Sequence, residues 1–197
     1  MAGDRSGDGS PAALLVIDVQ RAFDDPGWGE RTTPEAEANV GRLLAGWRTA
    51  GRPVIHVRHR SADDEGLFAS DGPGFVVKPE ARELASEPVV VKTVNSAFIG
   101  TDLEARLRGA GIPAVVICGL ITDHCVSTTA RMAGNLGFET TVVSDATATF
   151  ERTGPDGRHW SAQDMHDAAL ASLHDEFAAI RTTAEALDGL EASLPAG

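Results

Sequence analysis

Three residues of this chain could together carry out covalent hydrolysis. Asp18, Lys92 and Cys125 each stand at, or shortly after, the end of a short apolar segment. A thiolate is a strong nucleophile, and a nearby ammonium group or helix N-terminus favours it over the neutral thiol. A carboxylate can accept the thiol proton and later pass it to a leaving group. The three residue types are therefore typical of a cysteine hydrolase, provided that the fold brings them together.

The elements that must position these residues alternate along the chain. Apolar segments at residues 12–18, 53–58, 88–92, 114–119, 140–144 and 179–182 predict strands. Helical spacing of apolar residues predicts helices over 34–50, 101–111, 125–136, 161–177 and 184–194, the second of them opened by a capping box of Thr101 and Glu104. Residues 61–85 are predicted to form a long loop with a short helix near its end.

Strict alternation of strands and helices favours an α/β fold. We predict a three-layer α/β/α, Rossmann-like domain with a parallel sheet of about six strands. It covers residues 11–197 and follows a disordered tail at residues 1–10, which is rich in Gly, Asp and Ser. Ligands of such sheets bind beyond the carboxyl ends of the strands, where all three candidate residues would lie.

Composition narrows the range of partners. The chain has 197 residues and a net charge of −12, which argues against nucleic acid or an anionic membrane as a partner. No apolar run approaches the roughly 20 residues that cross a bilayer. Cys118 and Cys125 do not form a disulfide pattern, and the N-terminus does not look like a signal peptide. These features predict a cytoplasmic protein that acts on a small molecule.

Three segments resemble the signature blocks of the isochorismatase-like cysteine hydrolases. They are LLVIDVQRAF (14–23), VKTVNSAF (91–98) and CGLITDHCVSTTARMA (118–133). Within the last of them, the pattern G-x-x-T-D-x-C-V-x-x-T-A-R is highly specific. The resemblance extends from about residue 12 to residue 183. The family includes nicotinamidases, N-carbamoylsarcosine and ureidoacrylate amidohydrolases, streptothricin hydrolase and isochorismatase itself.

The resemblance implies roles for particular residues. Asp18, Lys92 and Cys125 correspond to the family's catalytic triad. A cis peptide bond is implied between Leu120 and Ile121, and the backbone amides of Ile121 and Cys125 would form an oxyanion hole. Members are usually oligomers, so a homo-oligomer, either a dimer or a tetramer, is expected.

The second predicted strand departs from the nicotinamidase branch. Nicotinamidases carry an Asp-x-His metal-binding motif at this point, whereas this chain reads His56-Val57-Arg58-His59-Arg60. No acid stands in this stretch, and the two arginines would repel a cation. We therefore predict no metal and no cofactor, and we interpret His56 as a core residue.

The leading hypothesis is cleavage of a C–N bond in a small amide, lactam, imide or ureido compound. Two alternatives stay open: an isochorismatase-type vinyl-ether hydrolase that uses Asp18 as an acid, and a non-catalytic thiol sensor or binding protein. Candidate pocket residues are Gln20, Phe23, Trp28, Phe68, Phe98, Asp123 and His124. Each aromatic could equally be a core or subunit contact, Gln20 could orient Asp18 or the loop, and Asp123 and His124 could simply begin a helix.

Overall fold

The computed structural model describes residues 12–192, and their central element is a parallel sheet. The strands are β1 (Ala12–Ile17), β2 (Val54–His59), β3 (Val89–Lys92), β4 (Ala114–Leu120), β5 (Glu139–Ala148), β6 (Arg152–Thr153), β7 (His159–Trp160) and β8 (Ala179–Arg181). The helices are α1 (Ala36–Thr49), α2 (Leu103–Gly109), α3 (Ser127–Asn135), α4 (Ala162–Leu173) and α5 (Thr183–Ala192). The predicted tail, residues 1–10, lies outside the described residues, as does residue 194, the predicted end of the last helix.

The sheet has six strands in the order β3-β2-β1-β4-β5-β8, and every neighbouring pair is parallel. The chain moves outward from β1 to β2 and β3, then returns to the other side of β1 for β4, β5 and β8. The order therefore reverses between β1 and β4, which is where open α/β sheets bind their ligands. The predicted fold class is confirmed.

Strand β1 is central because both of its faces are apolar. Leu15 and Ile17 are buried on one side of the sheet, and Leu14 and Val16 on the other. A strand covered on both faces reads as a continuous apolar run rather than an alternating one. Asp18 follows immediately and therefore lies, buried, at the edge of the sheet formed by the carboxyl ends of the strands.

Helices cover both faces of the sheet, since each presents an apolar side. On one face the buried helix residues are Val40, Leu43, Leu44, Trp47 and Leu190, from α1 and α5. On the other face they are Leu103, Leu107, Ala130, Ala133 and Leu173, from α2, α3 and α4. Within residues 12–192, none of the helices has the length and apolar character needed to span a membrane.

The predicted capping box at α2 is wrong. The N-cap position is Asp102. The hydroxyl of Thr101 donates to the carbonyl of Ala97 and accepts from the amide of Leu103 at 3.3 Å, rather than from that of Glu104. The carboxylate of Glu104 accepts from Arg108 one turn later.

The prediction that Cys125 opens a helix is also corrected. Thr122–Val126 forms a single π-helical turn, and α3 begins only at Ser127. The long loop contains three short 3-10 turns, at Gly66–Phe68, Pro73–Phe75 and Pro79–Ala81. An antiparallel hairpin of β6 and β7, which the sequence did not predict, follows β5.

Gly119 allows β4 to approach β1 at the site. Its φ is +116°, and β4 shifts register against β5 at this point. A Cβ at this position would overlap the carbonyl oxygen of Ile17 on β1. Glycine is therefore required both for its backbone conformation and for the close contact between strands.

We expect Gly119→Ala to lower the free energy of unfolding by at least about 3 kcal/mol, because the new methyl group must push β4 away from β1. Urea unfolding measures this change. Gly189→Ala is the matched control, since Gly189 lies inside α5 and a Cβ there would meet nothing within 4 Å beyond its own helix. In that control the free energy of unfolding should rise by about 0.5–1 kcal/mol. A Gly119→Ala protein as stable as the parent would contradict the close contact.

Candidate active site

The three predicted catalytic residues meet at one edge of the sheet. Asp18 directly follows β1, Lys92 is the last residue of β3, and Cys125 lies in the turn after β4. Asp18 and Lys92 are buried and Cys125 is 7% exposed. Asp18 has a φ of 50°, a left-handed conformation that Asp tolerates better than most residues. This conformation turns the chain sharply at the end of the strand.

The ammonium of Lys92 is the centre of the cluster. Its Nζ donates to Asp18 Oδ2 at 2.6 Å and to Cys125 Sγ at 3.2 Å. A third contact, of 3.1 Å, joins Nζ to Nδ1 of His59. An ammonium group has three hydrogens, so this buried cation has one acceptor for each of them.

His59 was not predicted as a site residue, although its position could have indicated it. It ends β2 and pairs in register with Lys92 on β3. Residues at such paired positions present their side chains to the same face of the sheet. Asn95 was missed as well. Its Oδ1 lies 3.9 Å from Cys125 Sγ, and it falls within the signature segment 91–98.

The electrostatics of Cys125 differ from the expectation of a stabilised thiolate. Burial, followed by the negative charge of Asp18, raises the pKa of the Cys125 thiol, and the Lys92 ammonium offsets only part of this. The loss of hydration destabilises the thiolate here by more than the single positive charge of Lys92 stabilises it. The direction of this shift favours the neutral thiol, from which attack requires a base to take the proton.

Asp18 has the free acceptor that this base needs. Its Oδ2 is engaged by Lys92, whereas its buried Oδ1 has no hydrogen-bond partner among residues 12–192. The nearest ligand atoms of Asp18, His59 and Cys125 lie within 4.8 Å of one another. Unsatisfied buried polar atoms are rare and often mark functional sites.

The turn that carries Cys125 is anchored on both sides. The Thr122 hydroxyl lies 3.0 Å from Nδ1 of His166 on α4. Asp123 accepts from the Thr149 hydroxyl and, at 3.0 Å, from Nε of Arg152. Both carboxylate oxygens of Asp123 are thus engaged within the protein, which indicates an anchoring role. His124, the other predicted neighbour, is exposed.

An unusual peptide bond immediately precedes this turn. The peptide bond between Leu120 and Ile121 is cis. The carbonyl of Ile121 accepts from the amides of His124 and Val126. The Ile121 amide itself has no acceptor in the described part of the chain, so it is available to a ligand.

Three of the predicted pocket aromatics form one cluster. The ring of Phe23 lies 5.2 Å from Trp28 and 5.3 Å from Phe68, and Phe150 completes the group. Leu120 and Ile121 pack into the same cluster. Phe68 also meets the ring of His59 edge-on at 5.0 Å. The cluster therefore adjoins the site through His59.

Two other predicted pocket residues have structural contacts. Phe98 stacks on Phe138 at 5.8 Å within the core beneath α2 and α3, apart from the aromatic cluster. Gln20 is fully buried, and its side chain bonds the backbone of His59 and Phe75. These contacts assign Phe98 to the core and Gln20 to holding the loop, which are the roles that the sequence had left open as alternatives.

The two histidines of β2 differ in their relation to a metal ion. His56 is buried, with Nε2 2.9 Å from a carboxylate oxygen of Glu87, as expected of a core residue with a partner. Asp18, His59 and Cys125 are spaced closely enough to hold a metal ion. However, the Lys92 ammonium contacts all three, so the position between them is already taken by a cation.

We expect Lys92→Met to lower the free energy of unfolding by about 3–5 kcal/mol, because it leaves the Asp18 carboxylate buried without its counter-charge. Chemical denaturation measures the loss, and adding Asp18→Asn should recover part of it. Arg106→Met is the control, since Arg106 pairs with Asp102 at the exposed surface. Equal, small losses for Lys92→Met and the control would show that the buried pair contributes little.

Comparison with known proteins adds independent information. Residues 12–185 match the family model described as the isochorismatase domain. YrdC of Bacillus subtilis (strain 168), an uncharacterized isochorismatase family protein, is 48% identical over 171 residues, which span 87% of this chain and 91% of YrdC. Streptothricin hydrolase of Streptomyces noursei is 36% identical over 170 residues, covering 84% of this chain and 58% of that enzyme.

A solved structure agrees over almost the whole chain. The crystal structure described as a hydrolase of the isochorismatase family from Chromobacterium violaceum has a TM-score of 0.92 and 40% sequence identity. The match covers 98% of this chain and 100% of the other. Fold and sequence thus point to the same group of proteins.

Proposed function

The chain belongs to the isochorismatase family of hydrolases, and we propose that it is a cysteine hydrolase that cleaves a C–N bond through a covalent acyl-enzyme. The substrate class is a small amide, lactam, imide or ureido compound. The observation that carries the proposal is the contact of one buried ammonium, Lys92, with both the thiol of Cys125 and the carboxylate of Asp18.

Acylation begins from the neutral thiol. Cys125 Sγ attacks the substrate carbonyl carbon while its proton passes to Asp18, whose Oδ1 is free to receive it. The C–S bond forms, and the carbonyl π electrons move onto oxygen. The amides of Ile121 and Cys125 are the proposed donors to this oxyanion. Lys92 stabilises the negative charge as it moves between sulfur and carboxylate.

The same carboxyl group then completes both halves of the reaction. Protonated Asp18 gives its proton to the departing nitrogen as the C–N bond breaks, which leaves a thioester on Cys125. Asp18 next removes a proton from water as the water attacks the thioester. The C–S bond breaks, and the proton returns to sulfur. The products are the acid and the amine, and the enzyme is regenerated.

The vinyl-ether alternative requires Asp18 as an acid but makes no use of a nucleophilic thiol. The streptothricin hydrolase relative and the retained thiol both favour C–N chemistry. The sensor alternative is disfavoured by the site itself. Sensor thiols are exposed and have low pKa values, whereas Cys125 is buried and its pKa is raised.

The cellular setting is part of the proposal. Cys118 and Cys125 are both free thiols, which suits the reducing cytoplasm. A homo-oligomer, expected from the family resemblance, is tested by light scattering on the purified protein. We propose no nucleic acid, membrane or cofactor as a partner.

A substrate screen tests the function. Wild-type protein is offered primary amides, lactams, imides and carbamoyl compounds, together with a vinyl ether, and a chelator is added in parallel. We expect turnover of a C–N substrate that is insensitive to the chelator, with an acyl adduct on Cys125 in the intact mass. Turnover of the vinyl ether alone, or activity lost with the chelator and restored by zinc, would overturn the proposal.

A further inference from the structure

We propose that His59 is a positioning residue that holds the ammonium of Lys92 between Asp18 and Cys125. This role goes beyond the triad and rests on the proposed function only in its kinetic consequences. The contact that carries it is the 3.1 Å approach of Lys92 Nζ to His59 Nδ1, the third of the three contacts of that ammonium.

The chemistry of the two groups determines which one donates. A lysine ammonium has hydrogens and no lone pair, so Nδ1 must accept. An accepting Nδ1 carries no proton, and a neutral imidazole then carries its hydrogen on Nε2. His59 can perform this role only in its neutral form, because the imidazolium ion donates from both nitrogens.

The ring is held rigidly in position for this contact. Gln20 binds the backbone of His59 on both sides, since its Oε1 accepts from the His59 amide at 2.8 Å and its Nε2 donates to the His59 carbonyl at 3.0 Å. Phe68 packs edge-on against the imidazole at a centroid distance of 5.0 Å. A side chain fixed by its backbone and by a neighbouring ring can hold a partner with little further loss of conformational entropy.

Within residues 12–192, the titratable groups that surround the ring are those of the triad. Lys92 approaches from β3, Asp18 from the end of β1, and Cys125 from the turn before α3. Burial, followed by the positive charge of Lys92, lowers the pKa of His59, and Asp18 acts in the opposite direction. The ring is therefore neutral at neutral pH. On acidification it gains a proton that points at the ammonium, and the contact is lost.

Two substitutions separate this role from simple packing. His59→Phe keeps a ring against Phe68 but removes the acceptor. His59→Asn places a polar amide atom near the position of Nδ1, and it cannot be protonated in this pH range. Thermal unfolding of both variants shows whether each remains folded, so that a loss of function can be distinguished from a loss of structure.

The first measurement needs no substrate, so it tests the role of His59 even if the proposed function is wrong. The rate of Cys125 alkylation by iodoacetamide is followed against pH, with Cys125→Ala as the blank for Cys118. In His59→Phe the ammonium is less well held near sulfur, and we expect the thiol titration to move to higher pH. In His59→Asn it should stay close to that of the wild type.

The second readout uses turnover. Loss of one hydrogen bond to a charged group corresponds to a fall in kcat of about 10- to 100-fold in His59→Phe, with a smaller change in KM. His59→Asn should retain more of the rate. Its profile of kcat against pH should also lack the fall at low pH that protonation of the imidazole causes in the wild type. A wild-type thiol titration in His59→Phe, or an unchanged acid limb in His59→Asn, would overturn the inference.

Discussion

Replacing Cys125 by alanine is expected to reduce kcat by at least about 10⁴-fold while the fold is retained. The thiol is the nucleophile of the proposed reaction, and its Sγ is the atom held 3.2 Å from Lys92 Nζ. Alanine removes the attacking atom and leaves one hydrogen of the ammonium without its acceptor. The stability loss should be modest, since Asp18 and His59 still hold that ammonium. Steady-state kinetics on the substrate found by the screen measures the effect.

Cys118→Ala is the matched control. Cys118 is also a buried free thiol whose pKa is raised by burial, but it lies within β4 with its Sγ 3.8 Å from the carbonyl of Leu15. The Cys118→Ala protein should be less stable because of the small cavity created, and its turnover number should be unchanged. Cys125→Ser adds a second comparison, because a hydroxyl can still accept from Lys92 but is a much weaker nucleophile. Substantial turnover by Cys125→Ala would rule out the covalent mechanism.

Asp18→Asn is expected to reduce kcat by about 10²–10⁴-fold or more. The amide has nearly the same size and shape, and its oxygen can still accept from Lys92. It cannot take the proton from the neutral thiol, and the raised pKa of Cys125 makes that transfer necessary. Acylation and departure of the amine should both slow.

Rapid-mixing experiments distinguish the two halves of the reaction. If Asp18 serves both, the burst of first product disappears and thioester breakdown also slows. If it serves only water activation, acylation stays fast and the acyl-enzyme accumulates. Asp102→Asn is the control, because Asp102 pairs with Arg106 at the surface. An Asp18→Asn enzyme within a few-fold of wild type would remove Asp18 from the catalytic set.

The sequence alone located the fold and three side chains that the structure brings into contact. Apolar runs that end in Asp18 and Lys92, and a third that precedes Cys125, identify the carboxyl ends of parallel strands. Such ends share one edge whatever the lengths of the helices between them. This is why residues 74 and 33 positions apart could be assigned to one site before any distance was known.

The tertiary structure decided the features that depend on distances between elements. His59 becomes a partner of Lys92 only through the register of β2 against β3. Phe150 and Phe68 join Phe23 and Trp28 from distant segments, whereas Phe98 turns into the core. Lys92 favours the Cys125 thiolate as the sequence predicted, but burial and Asp18 act in the opposite direction and raise the pKa of the thiol. A sequence shows which charges are near but not how completely water is excluded. Local patterns determine strands and their ends, but burial and cross-strand contacts arise only when those strands are packed together.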